Sequence, residues 1–130
     1  MTTCVIGASG DLGRRVCAGL AALDVPYRPL ARRGDATYAD LADPGSLAAA
    51  FAGGTRLFLV SSPVPEQVQL ETNAIEAAER ARFERLVKIS NSPIAGLDTG
   101  VHGNHRAIER RLAASSVPST LVRPSFFTTV

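Results

Sequence analysis

Lysine is almost missing from this chain: Lys88 stands alone against thirteen arginines. Cysteine is nearly as scarce, with only Cys4 and Cys17, and neither has a partner Cys or His at metal-ligand spacing. A disulfide framework is thereby excluded and no metal site is expected; both thiols read as small buried hydrophobes in a reducing compartment. Charge of one sign is not in excess either. The formal net charge of +2 gives no reason to expect nucleic acid or an anionic membrane as a partner. No apolar run approaches the roughly 18 residues of a membrane helix, and no basic leader precedes Val5. The expectation is a cytoplasmic protein.

What is present suits one domain over residues 1–130, with 45% hydrophobic and 20% charged residues. A chain of this size buries roughly two thirds of its unfolded surface, enough to fold without covalent or metal staples.

Apolar periodicity switches repeatedly between strand and helix. "TTCVIG" is a β-rich run, and "DLGRRVCAGLAALD" follows with Leu12, Val16, Leu20 and Leu23 at helical spacing. "VPYRPLARR" predicts a second strand of uncertain extent, because Pro26 and Pro29 interrupt it, and "ATYADL" a brief third. "DPGSLAAAFAG" is a helix with Pro44 in its first turn, and "TRLFLVSSP" an apolar strand of the kind covered on both faces. "PEQVQLETNAIEAAERAR" puts Val68, Ala74, Ile75 and Ala78 on one helix side; "FERLVKISNS" is the fifth strand, "NHRAIERRLAASS" a helix and "STLVRPSFF" a sixth strand. This alternation predicts an α/β fold with right-handed crossovers: a doubly wound parallel sheet in the order 3-2-1-4-5-6. A ligand would lie at the carboxyl ends of the strands.

The first crossover carries three glycines. In "CVIGASGDLGRRV", Gly7 ends the strand at a sharp turn, Gly10 removes a Cβ that would hold phosphates off the backbone, and Gly13 lets the helix approach the sheet. The amides of Ser9, Gly10, Asp11 and Leu12 open the helix and favour a doubly negative pyrophosphate. GxxGxxG is one residue longer than the GxGxxG fingerprint, and its place between strand and helix is what gives it weight. The alternative is a glycine-rich turn without a ligand.

The blocks "VIGASGDLGRRV", "LARRGD", "ADLADPGSLAAAFAG", "LFLVSSP", "RLVKISNS" and "NHRAIERRLAASSVPSTLVRPSFF" resemble, in order, those of the NmrA-like family of atypical short-chain dehydrogenases/reductases. The resemblance implies a Rossmann domain binding NAD(P)(H). The family includes NAD(P)H-dependent quinone and carbonyl reductases and also redox-sensing regulators without turnover. Three readings therefore stand: an NADPH-dependent oxidoreductase with a small quinone or carbonyl acceptor, a cofactor-sensing module, or an inactive fragment.

Arg32 and Arg33 fall where an NAD-preferring Rossmann protein carries the carboxylate for the ribose 2′-hydroxyl, so NADP(H) is expected over NAD(H). Solvated loop arginines are the alternative. Asp40 and Leu41 resemble the family's acid–apolar pair beside the adenine, although an Asp there also serves as a turn residue. Ser61, Ser62 and Pro63 would face the middle of the cofactor or simply enter the next helix. Pro124 closes the cofactor-binding set after the sixth strand.

The Tyr–Lys pair of ordinary short-chain dehydrogenases is missing: four residues after Tyr27 and Tyr38 stand Ala31 and Ala42. Alignment with the family helix puts Val101 at the tyrosine place and His105 at the lysine place. His105 with Glu109 matches the His-x-x-x-Glu of NmrA-like proteins. His105 is the candidate donor to an acceptor oxygen, with a non-catalytic residue that only orders the ribose as the favoured reading and a helix-surface histidine as the remaining one. Ser90 falls where a family catalytic serine would. Glu109 is expected to face Arg123 and His102 to precede the helix in solvent. Full-length relatives continue with a seventh strand and a carboxyl-terminal region over the nicotinamide. The expectation here is either a truncated gene product or a naturally abbreviated member whose pocket is open or completed by another chain, as in a homo-oligomer, with Phe126 and Phe127 then partly exposed as a contact patch.

Overall fold

A computed structural model describes residues 1–124. Phe126 and Phe127 lie outside the described residues. The elements are β1 (Thr3–Ile6), α1 (Asp11–Ala22), β2 (Tyr27–Ala31), β3 (Thr37–Tyr38), α2 (Pro44–Phe51), β4 (Arg56–Leu59), α3 (Gln67–Arg80), β5 (Arg85–Ile89), α4 (Gly100–Ala113) and β6 (Ser119–Val122). The six strands form one sheet in the order β3-β2-β1-β4-β5-β6, and each neighbouring pair is parallel. The doubly wound order expected from the alternation is the order found.

Side chains alternate across the sheet, and both faces are apolar. Cys4, Ile6, Leu57, Leu59 and Leu86 face α2, α3 and α4, where Leu47, Phe51, Ala74, Ile75, Ala78, Ile108 and Leu112 complete the larger core. Val5, Phe58 and Ile89 face α1, which contributes Leu12, Val16, Cys17 and Leu20. Leu23, the fourth member of the predicted row, is the C-cap of α1 and 75% exposed.

Pro29 sits inside β2 opposite Val5, a position that normally demands a donor. Pro26 and Leu30 present their carbonyls to the β1 side, accepting from Thr3 and Ala8, whereas Ala31 accepts from Ala39 after β3. By alternation the nitrogen of Pro29 faces the β3 side. The register of β3 begins only opposite Leu30, so no ladder bond is missing.

Asp43 caps α2, its carboxylate accepting from the Ser46 amide at 3.4 Å, with Pro44 in the first turn. Helix α4 starts at Gly100, four residues before the predicted start at Asn104. A Cβ on Gly103 would overlap the Asp98 carbonyl oxygen, so this glycine allows the preceding loop to lie against the helix. His102 is consequently within α4, partly buried, and its Nδ1 accepts from the Asn91 side-chain Nδ2 at 3.2 Å.

Candidate functional site

The strand order reverses between β1 and β4, and a cleft of about 500 Å³ opens at the carboxyl ends there. Its floor is the glycine turn. Gly7 has φ +75°, a conformation that favours glycine, and the Gly10 amide donates to the Gly7 carbonyl at 3.0 Å. A Cβ on Gly13 would overlap the Gly7 carbonyl oxygen and stand 2.7 Å from its carbon and 2.9 Å from the Ala8 Cα. Gly13 is therefore what lets α1 begin directly against the end of β1. At Gly10 a Cβ would meet only the Gly7 oxygen, at 3.3 Å.

Helix α1 has no side-chain cap. Among the described residues the amides of Ser9, Asp11 and Leu12 have no intramolecular acceptor, while the Gly10 amide is used within the turn. Ser9, Gly10, Asp11, Leu12 and Gly13 all line the cleft. These free donors at a helix N-terminus suit an anion.

The outer wall comes from β2 and the turn after β3. Arg32 lines the cleft and is exposed with no ion-pair partner among the described residues; Arg33 is exposed and outside the lining. Ala39, Asp40, Leu41 and Ala42 line the same wall with Leu70 from α3. The Asp40 carboxylate accepts from the Ala42 amide at 2.9 Å, and Ser46 Oγ accepts from the Asp40 amide at 2.9 Å. Asp40 is thus both a turn residue and part of the wall. Ser61 and Ser62 line the inner wall with Val60, whereas Pro63 is exposed outside the lining.

Behind Ser61 runs a buried polar chain: Ser61 Oγ donates to Glu71 Oε2 at 2.6 Å, and Glu71 Oε1 pairs with Lys88 Nζ at 2.8 Å. Lys88 Nζ also donates to the Ile89 carbonyl at 2.8 Å and lies 3.1 Å from His105 Nδ1. Glu71 and Lys88 are both fully buried. Burial pushes the Lys88 ammonium down, and the Glu71 charge opposes that shift. Burial also lowers His105, with the Lys88 charge adding to it, to about 4.

At the end of β5, Ser90 is 3% exposed and donates to Glu109 Oε2 at 2.6 Å. Arg123 grips the same carboxylate from the end of β6, and Arg106 reaches it at 3.2 Å. Burial raises the Glu109 carboxyl, but hydrogen bonds from Arg123 and Ser90 and the Arg106 charge hold it below the usual carboxylate range. The expected Glu109–Arg123 pair is present. Ser90, His105 and Pro124 are outside the cleft lining; the Pro124 carbonyl accepts from the Ser92 amide at 3.2 Å.

Sequence reasoning missed Glu71 and treated Lys88 only as a lysine in a strand. Both carried a signal. Glu71 falls on the apolar side with Ala74, Ile75 and Ala78, and Lys88 interrupts an apolar strand. Two opposite charges at interior positions are best satisfied by each other. Among the described residues no helix is long and apolar enough to cross a membrane, and no group of three or more His, Cys, Asp and Glu could hold a metal ion.

The class defined by this sheet order and glycine turn is the Rossmann-type α/β fold, and known proteins resemble it at that level. The chain superposes on a nucleoside-diphosphate-sugar epimerase from Staphylococcus aureus with a TM-score of 0.85 at 18% identity, covering 95% of this chain and 50% of that one. It superposes on an NADPH-dependent quinone oxidoreductase from Escherichia coli, complexed with NADPH, with a TM-score of 0.83 at 26% identity, covering 93% and 48%. In sequence it is 30% identical over 137 residues to an NAD(P)H azoreductase from Xenophilus azovorans, covering 95% of this chain and 47% of that protein. No protein-family model matches the chain. The chain spans about half the length of the relatives it matches.

Proposed function

We propose that this chain is the nicotinamide-dinucleotide-binding domain of an NmrA-like, NADPH-dependent oxidoreductase that reduces a small quinone or carbonyl acceptor. The observation that carries the reading is the uncapped α1 N-terminus, whose free amides of Ser9, Asp11 and Leu12 border the cleft and which Gly13 lets start directly against the end of β1. The residues present fit a dinucleotide. Ser9, Gly10, Asp11 and Leu12 would hold the pyrophosphate, Asp40 and Leu41 the adenine end, Arg32 the 2′-phosphate, and Ser61 and Ser62 the middle. The bound dinucleotide would supply hydride.

The chain's own contribution is binding and orientation. Ser90 is engaged with Glu109, which favours a positioning role for it at the end of β5. His105 remains the candidate group for an oxygen at the same edge. The engagement of Ser90 also supports a second reading, a cofactor sensor with no turnover.

NADPH oxidation by the chain, followed by absorbance with a panel of quinones and aldehydes beside calorimetric NADPH binding, tests both. Turnover supports the reductase; saturable binding without turnover on any acceptor supports the sensor. No dinucleotide binding overturns both.

A further inference from the structure

Lys88 is fully buried, and three polar atoms surround its Nζ. Nζ meets Glu71 Oε1 at 2.8 Å, the Ile89 carbonyl at 2.8 Å and His105 Nδ1 at 3.1 Å. An ammonium has three protons and no lone pair. The Glu71 contact is an ion pair whose Oε1 lacks hydrogen-bond geometry, whereas in the 3.1 Å contact with the imidazole the ammonium can only donate, so Nδ1 accepts.

We propose that Lys88 is a positioning residue for His105, fixing it as the Nε2–H tautomer so that the ring presents a neutral hydrogen-bond donor to an oxygen bound at the carboxyl end of β5. Nε2 meets no partner among the described residues, and His105 as a residue is 8% exposed. Nδ1 faces inward, so Nε2 is the nitrogen left for a ligand.

The surrounding charges agree with a neutral ring. Lys88 faces it from β5, Arg106, Glu109 and His102 share α4 with it, and Glu71 of α3 stands behind Lys88. Burial comes first, and Lys88 and Arg106 then oppose a second positive charge; Glu109 alone favours it. Glu71 in turn is held by Ser61, a cleft residue, with Gln67 Nε2 3.3 Å from Ser61 Oγ. The wall of the cleft and the histidine are thereby connected through two hydrogen bonds and one buried ion pair. A lysine on the helix, as in the ordinary Tyr–Lys arrangement, is replaced by one that approaches from beneath, out of the sheet.

The chemistry this prepares is donation to a neutral oxygen, either a cofactor ribose hydroxyl or an acceptor carbonyl. The identity of that oxygen rests on the proposed dinucleotide function, whereas the tautomer belongs to the free protein, so the two fail separately. Two-bond ¹⁵N–¹H spectra of the histidine-labelled full chain decide the tautomer directly. His105 is expected to show a protonated Nε2 and an unprotonated Nδ1 from pH 5.5 to 8, as about two pH units around neutrality sample an ordinary histidine's titration. The paired replacement Lys88→Met with Glu71→Gln, which removes both buried charges together, should move the His105 titration upward and let the Nδ1–H form appear. If the folded pair variant then loses NADPH affinity, the oxygen is the ribose; if it loses only kcat/KM for the acceptor, the oxygen is the acceptor's. A protonated Nδ1 in the unaltered chain, or an ordinary histidine titration there, overturns the proposal even if the variant does not fold.

Discussion

Arg123, at the end of β6, holds Glu109 of α4 in a two-pronged grip: Nε donates to Oε2 at 3.0 Å and Nη2 to Oε1 at 2.8 Å. The carboxylate is buried at 8% side-chain exposure, while the guanidinium is 44% exposed. Ser90 and Arg106 complete its shell, so one carboxylate ties α4 to the ends of both β5 and β6. Glu109→Gln keeps the shape but loses the charge and the paired acceptor. It should destabilise the fold by about 1–3 kcal/mol, the cost of weakening hydrogen bonds to a buried charged group. Thermal unfolding should show a midpoint lower by several degrees, and an unchanged midpoint would mean that this clamp contributes nothing to holding α4 in place.

The glycine turn separates folding from binding. Gly13→Ala puts a methyl into the Gly7 carbonyl and should cost about 1–3 kcal/mol by overpacking, with nucleotide binding lost alongside. Gly10→Ala meets a single atom at 3.3 Å, so it should fold nearly as well. Its methyl would stand where phosphate oxygens must approach, lowering dinucleotide affinity by about tenfold or more. Melting and calorimetry on both variants distinguish the roles; equal effects on stability and binding would deny any difference between these glycines.

Geometry also separates the two arginines after β2. Arg32 lines the cleft and Arg33 does not. Removing one charge-assisted contact costs about 1.5–3 kcal/mol, or roughly tenfold to a hundredfold in affinity. Arg32→Ala should weaken NADPH by that much and NADH little, and Arg33→Ala should change neither appreciably. Calorimetric titration of both nucleotides would refute the assignment of the 2′-phosphate to Arg32 if NADPH and NADH lost affinity alike.

The sheet was legible because its information is local and repetitive. Leu57, Phe58 and Leu59 are apolar on consecutive positions, which suits a short strand covered on both faces, and Gly7, Gly10 and Gly13 mark a strand-to-helix turn by their place. The buried charges were harder to read, because Glu71 and Lys88 are 17 residues apart and meet only after α3 folds onto the sheet. Helix α4 was misjudged at its start for a related reason. Gly100 and Gly103 have poor helix propensity, and the backbone of Asp98 packed on Gly103 decides the matter in three dimensions. For the arginines, spacing alone named a pair, and the path of the chain after β2 chose between them.

His105 makes stability depend on acid in a definite window. Its folded value is lowered to about 4, whereas in the unfolded chain it returns to the ordinary 6.5. Below 6.5 the unfolded state therefore binds a proton that the folded state refuses until about 4, so stability rises with pH across this interval and is lost as pH falls through it. The shift is equivalent to at most about 3 kcal/mol. Urea unfolding at pH 7.5 and at pH 5, in the unaltered chain and in His105→Gln, isolates this contribution. The unaltered chain should lose more stability than the variant between the two conditions. Carboxylates such as Glu109, held below their usual range, add little above pH 5 because they keep their charge in both states there. Parallel losses in the two proteins would show that His105 is protonated as readily in the fold as outside it.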